Sequence, residues 1–164
     1  MTVFTIGYEG LDMDTFLSLL KENYIETVVD VREMPLSRKP GFSKKSLEIT
    51  LKYLGGMDYV HMPALGCPRR VRERYRRDGD WQRYTADFMA YLETQDEAIA
   101  ELSEMVSSSS CALLCYEADA NFCHRSMVAD AVHDYCGANV EHLAPLGTRT
   151  APPARLQMEM ALAA

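Results

Sequence analysis

Apolar and polar positions alternate between two periods along this chain. Residues 3–6, VFTI, form a short β-branched apolar run that Gly7 ends, which predicts a strand. Asp12 follows as a helix cap, with Met13, Phe16, Leu17 and Leu20 spaced along one helical face. IETVVDVR, residues 25–32, is apolar on both faces and predicts a central parallel strand. The two prolines and the glycine of REMPLSRKPGF then impose a loop. Ser43 is placed to cap a helix carrying Leu47, Leu51 and Leu54 on one side, which Gly55 and Gly56 stop. DYVHMPALG, residues 58–66, predicts a third strand. Residues 81–106 read as one long helix, with Phe88, Leu92, Ile99, Leu102 and Val106 spaced for burial, and SSSS at 107–110 reads as its break. CALLCY (111–116) is a fourth strand suited to the sheet centre, Ser126 to Tyr135 a helix, and NVEHL (139–143) a last strand.

Strands alternating with helices predict an α/β three-layer sandwich with a mostly parallel central sheet of about five strands. The expected organisation is a single domain over 1–147, followed by a tail over 148–164 that is loose or forms a short docked helix. The length of 164 residues suits one core. No apolar run approaches the roughly 18 residues of a membrane span. The first residues do not have the pattern of a signal peptide, and the five cysteines form no CxxC pair. Reduced thiols and a cytoplasmic location are therefore expected, with no membrane partner.

In parallel sheets ligands gather beyond the carboxyl ends of the strands. Polar residues fall there in four separate loops: GYEG after the first strand, DVREMPLSR after the second, HMPALG after the third and CYEADANFCHR after the fourth. This convergence is the main functional signal in the sequence. TIGYEG, VVDVREMPLSR, YVHMPALG and LLCYEADANFCHR, taken together and in order, resemble the DUF488 family, a domain of unknown function, over roughly residues 4–143. The resemblance implies an α/β fold and a polar pocket, and it implies no established reaction. Tyr8 stands where that family commonly has a histidine.

Individual residues carry more specific expectations. Asp30 and Arg32, two apart on a strand, project to one side. They serve either as a buried pair holding the PLSR loop or as a proton carrier (Asp30) and an anion ligand (Arg32). Ser37 and Arg38 extend the same edge, where guanidinium groups suit phosphate or carboxylate oxygens. Tyr8 joins them from the first turn. Glu117 directly follows the central strand, where partial burial would fit it for acid–base work. Cys123 sits at a helix start, which favours a thiolate, and His124 and Arg125 beside it are candidates to bind a ligand. The catalytic candidates are thus Glu117, Asp30 and Cys123, and the ligand-binding candidates Tyr8, Arg32, Ser37, Arg38, His124 and Arg125.

Cys115, Cys123 and His124, with His61 or Cys67, supply metal-ligand types, but their spacing matches no recognised zinc finger or ribbon, so neither metal nor cofactor is expected. A rhodanese-like loop starting at Cys115 is disfavoured, because nine residues separate it from Arg125 and none is glycine. Cys115 reads instead as a small core residue.

Net charge is −7, yet Arg69, Arg70, Arg72, Arg74, Arg76, Arg77 and Arg83 place seven of the 17 basic residues in one segment. Tyr75, Trp81 and Tyr84 are interleaved with them, the mixture of charge and rings that single-stranded nucleic acid requires. Arg69, Arg70, Arg72, Arg74, Arg76, Arg77, Tyr75 and Trp81 are accordingly candidate nucleic-acid contacts. The alternative is a solvated helix or a flap hinged at Gly66 and Gly79. The resulting expectation is a hydrolase or transferase acting on a phosphate-bearing small molecule or nucleic acid. The alternatives are a non-catalytic nucleotide or nucleic-acid binding module and a rhodanese-like cysteine enzyme.

Overall fold

A computed structural model of the chain describes residues 1–148; the expected tail lies, from residue 149 onward, outside the described residues. In chain order the elements are β1 (Thr2–Gly7), α1 (Met13–Glu22), β2 (Thr27–Asp30), α2 (Lys44–Thr50), β3 (Asp58–His61), α3 (Arg69–Asp78), α4 (Trp81–Leu92), α5 (Asp96–Ser108), β4 (Cys111–Cys115), α6 (His124–Cys136) and β5 (Asn139–Leu143). The strands form one sheet in the order β3-β2-β4-β1-β5, and every pairing is parallel. The chain thus adopts the expected α/β fold.

The continuous apolar runs of β2 and β4 follow from burial on both faces. Val29, Cys111 and Leu113 join a cluster with Phe88, Leu102 and Val128, contributed by α4, α5 and α6. Their neighbours Val28, Ala112 and Leu114 face the other way, onto Phe16, Leu20 and Leu47 of α1 and α2. Each fully buried leucine stabilises the fold by about 1.5–3 kcal/mol relative to exposure. These two clusters make the outer layers, with the sheet between them.

Several boundaries differ from expectation. The single helix expected over 81–106 is two helices, α4 and α5. The turn between them is held by Gln95 N–H donating to Leu92 C=O and by Thr94 Oγ1 donating to Tyr91 C=O. No glycine or proline marks this bend, and Leu92 and Ile99 are seven residues apart, so the buried stripe stays in phase across it. The helix α5 continues through Ser107 and Ser108, whose hydroxyls donate back to Ser103 and Glu104 carbonyls. The third strand ends at His61, and residues Pro63–Leu65 form a 3-10 turn. The arginine-rich segment is a regular helix, α3, ended by Gly79 at φ 63°. No helix among the described residues is long and apolar enough to cross a membrane.

Because all strands run one way, Gly7, Asp30, His61, Cys115 and Leu143 end at the same edge. From the adjacent strands β1 and β4 the chain leaves for α1 and α6, which lie on opposite faces. A crevice opens where neighbouring strands diverge in this way. Tight packing closes its base. A Cβ on Gly7 would lie 1.7 Å from the Glu117 carbonyl oxygen, so only glycine allows the β4 loop to settle against the end of β1.

Candidate functional site

A cavity of about 640 Å³ occupies this crevice. The Asp30–Arg32 pair forms its frame. Arg32 Nε and Nη2 donate to the two Asp30 oxygens at 2.8 and 2.6 Å, and Nη1 donates to Tyr8 Oη at 3.1 Å and to Phe42 C=O at 2.8 Å. Tyr59 Oη donates to Asp30 at 2.6 Å. Asp30 is wholly buried, so its charge is tolerable only because the fork of Arg32 neutralises it. Burial opposes the charge on Arg32, but bonding to Asp30 outweighs it and holds the guanidinium firmly protonated. Burial, followed by the bond to Asp30, raises the Tyr59 phenol far above its usual range.

The floor comes from β4 and the start of α6. Cys115, the last residue of β4, donates its thiol to Glu117 Oε2 at 3.4 Å and lies 3.7 Å from His124 Nδ1. The other ring nitrogen, His124 Nε2, donates to Val31 C=O at 2.7 Å, and Phe88 meets the ring edge-to-face with centroids 5.2 Å apart. Cys123 occupies the N-cap position of α6 but makes no side-chain cap bond there. Burial pushes the Glu117 carboxyl up to about 7, and the negative Cys123 sulfur adds to the effect. Of the two thiols, Cys123 is the acidic one: burial opposes its ionisation, but hydrogen bonds from Cys115 and His124 outweigh it. Cys115 is shifted well above the thiol range, first by its bond to Cys123 and then by burial. His124 is raised, because the Cys123 sulfur more than offsets burial.

One wall is aromatic. Trp81 stacks on Tyr84 with centroids 4.7 Å apart, and Tyr75 and Phe122 lean against Trp81 at 5.6 and 5.5 Å. The rim is cationic. Lys39 Nζ donates to Tyr8 C=O at 3.1 Å, and Arg72 pairs with Glu33 at 2.6 Å. Arg38 and Arg76 are both exposed and, among the described residues, make no close side-chain ion pair, Glu73 acting on Arg76 only through space.

Among the residues singled out from sequence, Tyr8, Arg32, Ser37, Arg38, Arg72, Tyr75, Arg76, Trp81, Glu117 and His124 line this cavity. Others do not. Asp30 lies behind Arg32 with both oxygens occupied, which leaves it no path to a substrate proton. Cys123 is 1% exposed, and its sulfur lies behind Cys115 and His124 rather than on the cavity surface. Arg125, also 1% exposed, donates to Thr5 Oγ1 and to the carbonyls of Glu117 and Ala118, tying the β4 loop to β1. The arginines of α3 divide around the helix. Arg70, Arg74 and Arg77 line a separate groove with Asp87 and Tyr91, Arg69 pairs with Glu73, and Arg74 pairs with Asp87.

The structure also adds residues. Cys115, read as core, borders the cavity. Its position as the last strand residue at the ligand edge was the available signal. Lys39, Glu33, Tyr116 and Phe122 line it too, through tertiary packing that no local pattern encodes, and so does Tyr84, one of the rings interleaved with the arginines. Cys67 borders it as a thiol that burial raises to about 11.

Fold and crevice together define an open, parallel α/β protein with a cavity at the carboxyl edge of its sheet. The family model described as "Domain of unknown function DUF488" matches residues 12–132, most of the chain, and the protein belongs to that family. No curated protein and no solved structure matches the chain.

Proposed function

We propose that this protein is an enzyme, a hydrolase or transferase, acting on a phosphate-bearing substrate of the nucleotide class. One observation carries the reading: a single cavity combines an aromatic wall, two exposed guanidinium groups with no close ion pair and a carboxylate on its floor. Trp81 and Tyr75 offer faces for a planar base, and stacking of this kind contributes about 1–3 kcal/mol per base. Arg38 and Arg76 receive the phosphate, since a guanidinium meets such oxygens in a bidentate way. Glu117, which lines the same cavity, gives or takes the proton as a bond to the substrate breaks.

The pairing of the α3 arginines favours this reading over a binding module built on that helix. Arg69, Arg72 and Arg74 are engaged with acids, and the others split between two grooves, so no continuous basic stripe faces one partner. A rhodanese-like enzyme is disfavoured because Cys115 carries its proton, donated to Glu117 Oε2 at 3.4 Å, and the guanidinium of Arg125 is turned away onto Thr5 and the Glu117 and Ala118 carbonyls.

Thermal unfolding against nucleoside mono-, di- and triphosphates and a short oligonucleotide tests the proposal. A ligand at about 100 times its Kd stabilises by about 2.7 kcal/mol, a Tm rise of roughly 5–10 °C. Arg76→Ala should weaken binding at least about tenfold, the cost of a lost charge-assisted bond, whereas Arg70→Ala in the other groove should leave it unchanged. Glu117→Gln should retain binding and lose turnover. If no member of the panel stabilises the protein, or if Arg76→Ala binds like wild type, the reading fails.

A further inference from the structure

We propose that Cys115, Cys123 and His124 form a three-ligand site for a zinc-class divalent ion, with its fourth coordination position open to the cavity. The inference goes beyond the function proposed above, on which only its chemical consequence rests. Its basis is geometric. The two sulfurs and a ring nitrogen of His124 all lie within 4.8 Å of one another, and all three residues are buried. A tetrahedral ion with Zn–S near 2.3 Å and Zn–N near 2.0–2.1 Å holds its sulfur and nitrogen donors roughly 3.5 Å apart. The Cys115 sulfur and His124 Nδ1 are already 3.7 Å apart.

The second observation concerns the orientation of His124. Its Nε2 donates to the Val31 carbonyl at 2.7 Å, so Nδ1 is the nitrogen that faces the sulfurs. A backbone carbonyl holding the far nitrogen is the usual support of a metal-bound imidazole, because it fixes the ring and raises the basicity of the donor. Phe88 braces the same ring from its edge. Neither thiol is in a disulfide, and Cys123 makes no cap bond although it occupies the N-cap position; the polar contact of Cys115 outside the cluster is its bond to Glu117.

The donors come from two elements that meet only in the folded protein. Cys115 ends β4, and Cys123 and His124 begin α6, with seven residues between the two cysteines. Zinc fingers and ribbons draw ligand pairs from short hairpins, which explains why no such spacing is present here. Two thiolates and one imidazole form a soft donor set that selects zinc over magnesium or calcium. Both sulfurs bind an ion as thiolates, so binding releases whatever thiol protons the pair still holds.

The open position gives the site its chemistry. Cys115 and His124 border the cavity while Cys123 lies behind them, so an ion among the three presents its fourth side to the bound substrate. Three protein ligands with one position free is the arrangement of catalytic rather than structural zinc. Glu117 is 3.4 Å from the Cys115 sulfur but outside the three-donor cluster, the place of a base that takes the proton from a metal-bound water. The water oxygen then bonds to the electrophilic atom of the substrate, and the leaving group departs with its bonding electron pair and takes that proton from Glu117.

The test needs no substrate. The full chain, reduced and stripped with a chelator, is titrated with Co2+ and then with Zn2+. We expect one Co2+ per chain, with a thiolate-to-cobalt charge-transfer band and the intense visible bands of a tetrahedral ion, both lost when Zn2+ displaces it. Cys115→Ser and Cys123→Ser should each remove about half of the charge-transfer intensity and weaken binding at least about tenfold, while Cys136→Ser should change neither. Wild-type protein gives a second readout that does not depend on the folding of variants at these buried positions. Stoichiometric Zn2+ should protect Cys115 and Cys123, but not Cys136, from alkylation mapped by peptide mass. Absence of a stoichiometric Co2+ spectrum in reduced wild type overturns the proposal. So does a spectrum unchanged in both serine variants, or Cys115 and Cys123 labelling equally with and without Zn2+. The outcomes also separate the two readings: metal binding without nucleotide binding leaves this site standing and removes the proposed substrate. Nucleotide turnover in protein that gives no stoichiometric Co2+ spectrum removes the site alone.

Discussion

Replacing Arg32 by methionine should destabilise the protein by far more than its side-chain contacts alone would suggest. Arg32 has five N–H groups, and four are engaged internally: two with Asp30, one with Tyr8 and one with Phe42. Methionine fills much of the same volume and removes all four bonds. Asp30, 0% exposed, would keep only the Tyr59 hydroxyl at 2.6 Å and the residue-32 backbone N–H at 3.1 Å. Leaving one partner of a buried ion pair uncompensated costs about 3–5 kcal/mol. With a urea m-value of about 2 kcal/mol/M, the unfolding midpoint falls by roughly 1.5–2.5 M. Arg32→Lys should not restore it, because an ammonium cannot engage both Asp30 oxygens and also reach Tyr8 and Phe42. The double variant Asp30→Leu/Arg32→Met removes the stranded charge and should lose less than Arg32→Met alone. Urea denaturation followed by circular dichroism measures wild type, these three variants and the Asp30→Leu single. A loss below about 1 kcal/mol in Arg32→Met at unchanged m, or a double variant that costs the sum of the singles, would refute the buried-pair argument.

Gly7→Ala should cost about 3 kcal/mol or more in a thermal melt, because its methyl would sit 1.7 Å from the Glu117 carbonyl oxygen and 3.0 Å from Arg125 Nη1; a wild-type Tm would mean that the β4 loop does not pack on β1. His142, whose Nδ1 lies 2.7 Å from Thr5 Oγ1, is held below the usual imidazole range by burial and then by the charge of Arg125. The unfolded chain takes up this proton first, so the contribution of His142 is complete above about pH 6.5 and is lost as pH falls toward its folded value. His142→Gln should therefore flatten the decline in urea stability between about pH 7.5 and 5.5, and an identical decline in both proteins would refute the assignment. Amide exchange over residues 67–83 should slow when a nucleotide or short oligonucleotide binds, since Arg76 and Trp81 of that stretch border the cavity. Unchanged exchange at saturation would leave α3 as a solvated face.

The sequence by itself determined the fold class, and it did so through side-chain periodicity. CALLC and TVVD are buried at every position, and CALLC with the Val28–Val29 pair is apolar throughout, because both faces of a parallel strand are covered; the chain states this locally. It also determined the edge where the site lies, since four strand ends each carry polar residues into a loop. It did not determine the bend between α4 and α5. A seven-residue step from Leu92 to Ile99 keeps the buried stripe aligned whether or not the helix breaks. Nor did it decide which charged residues face the cavity. Asp30, Arg32 and Arg125 look alike in sequence as polar groups at strand and helix ends, yet only Arg32 borders the cavity. Which one becomes a strut depends on whether Thr5, Phe42 or the Glu117 carbonyl comes within hydrogen-bond reach, and those partners lie 120, 10 and 8 residues away along the chain. The cluster of Cys115, Cys123 and His124 is tertiary in the same sense. Spacing rules for metal sites describe ligands on one hairpin, whereas here the end of β4 and the first turn of α6 are brought together by the sheet packing against its helices. Local pattern encodes which face of each element is buried; only the packed structure decides which buried groups meet.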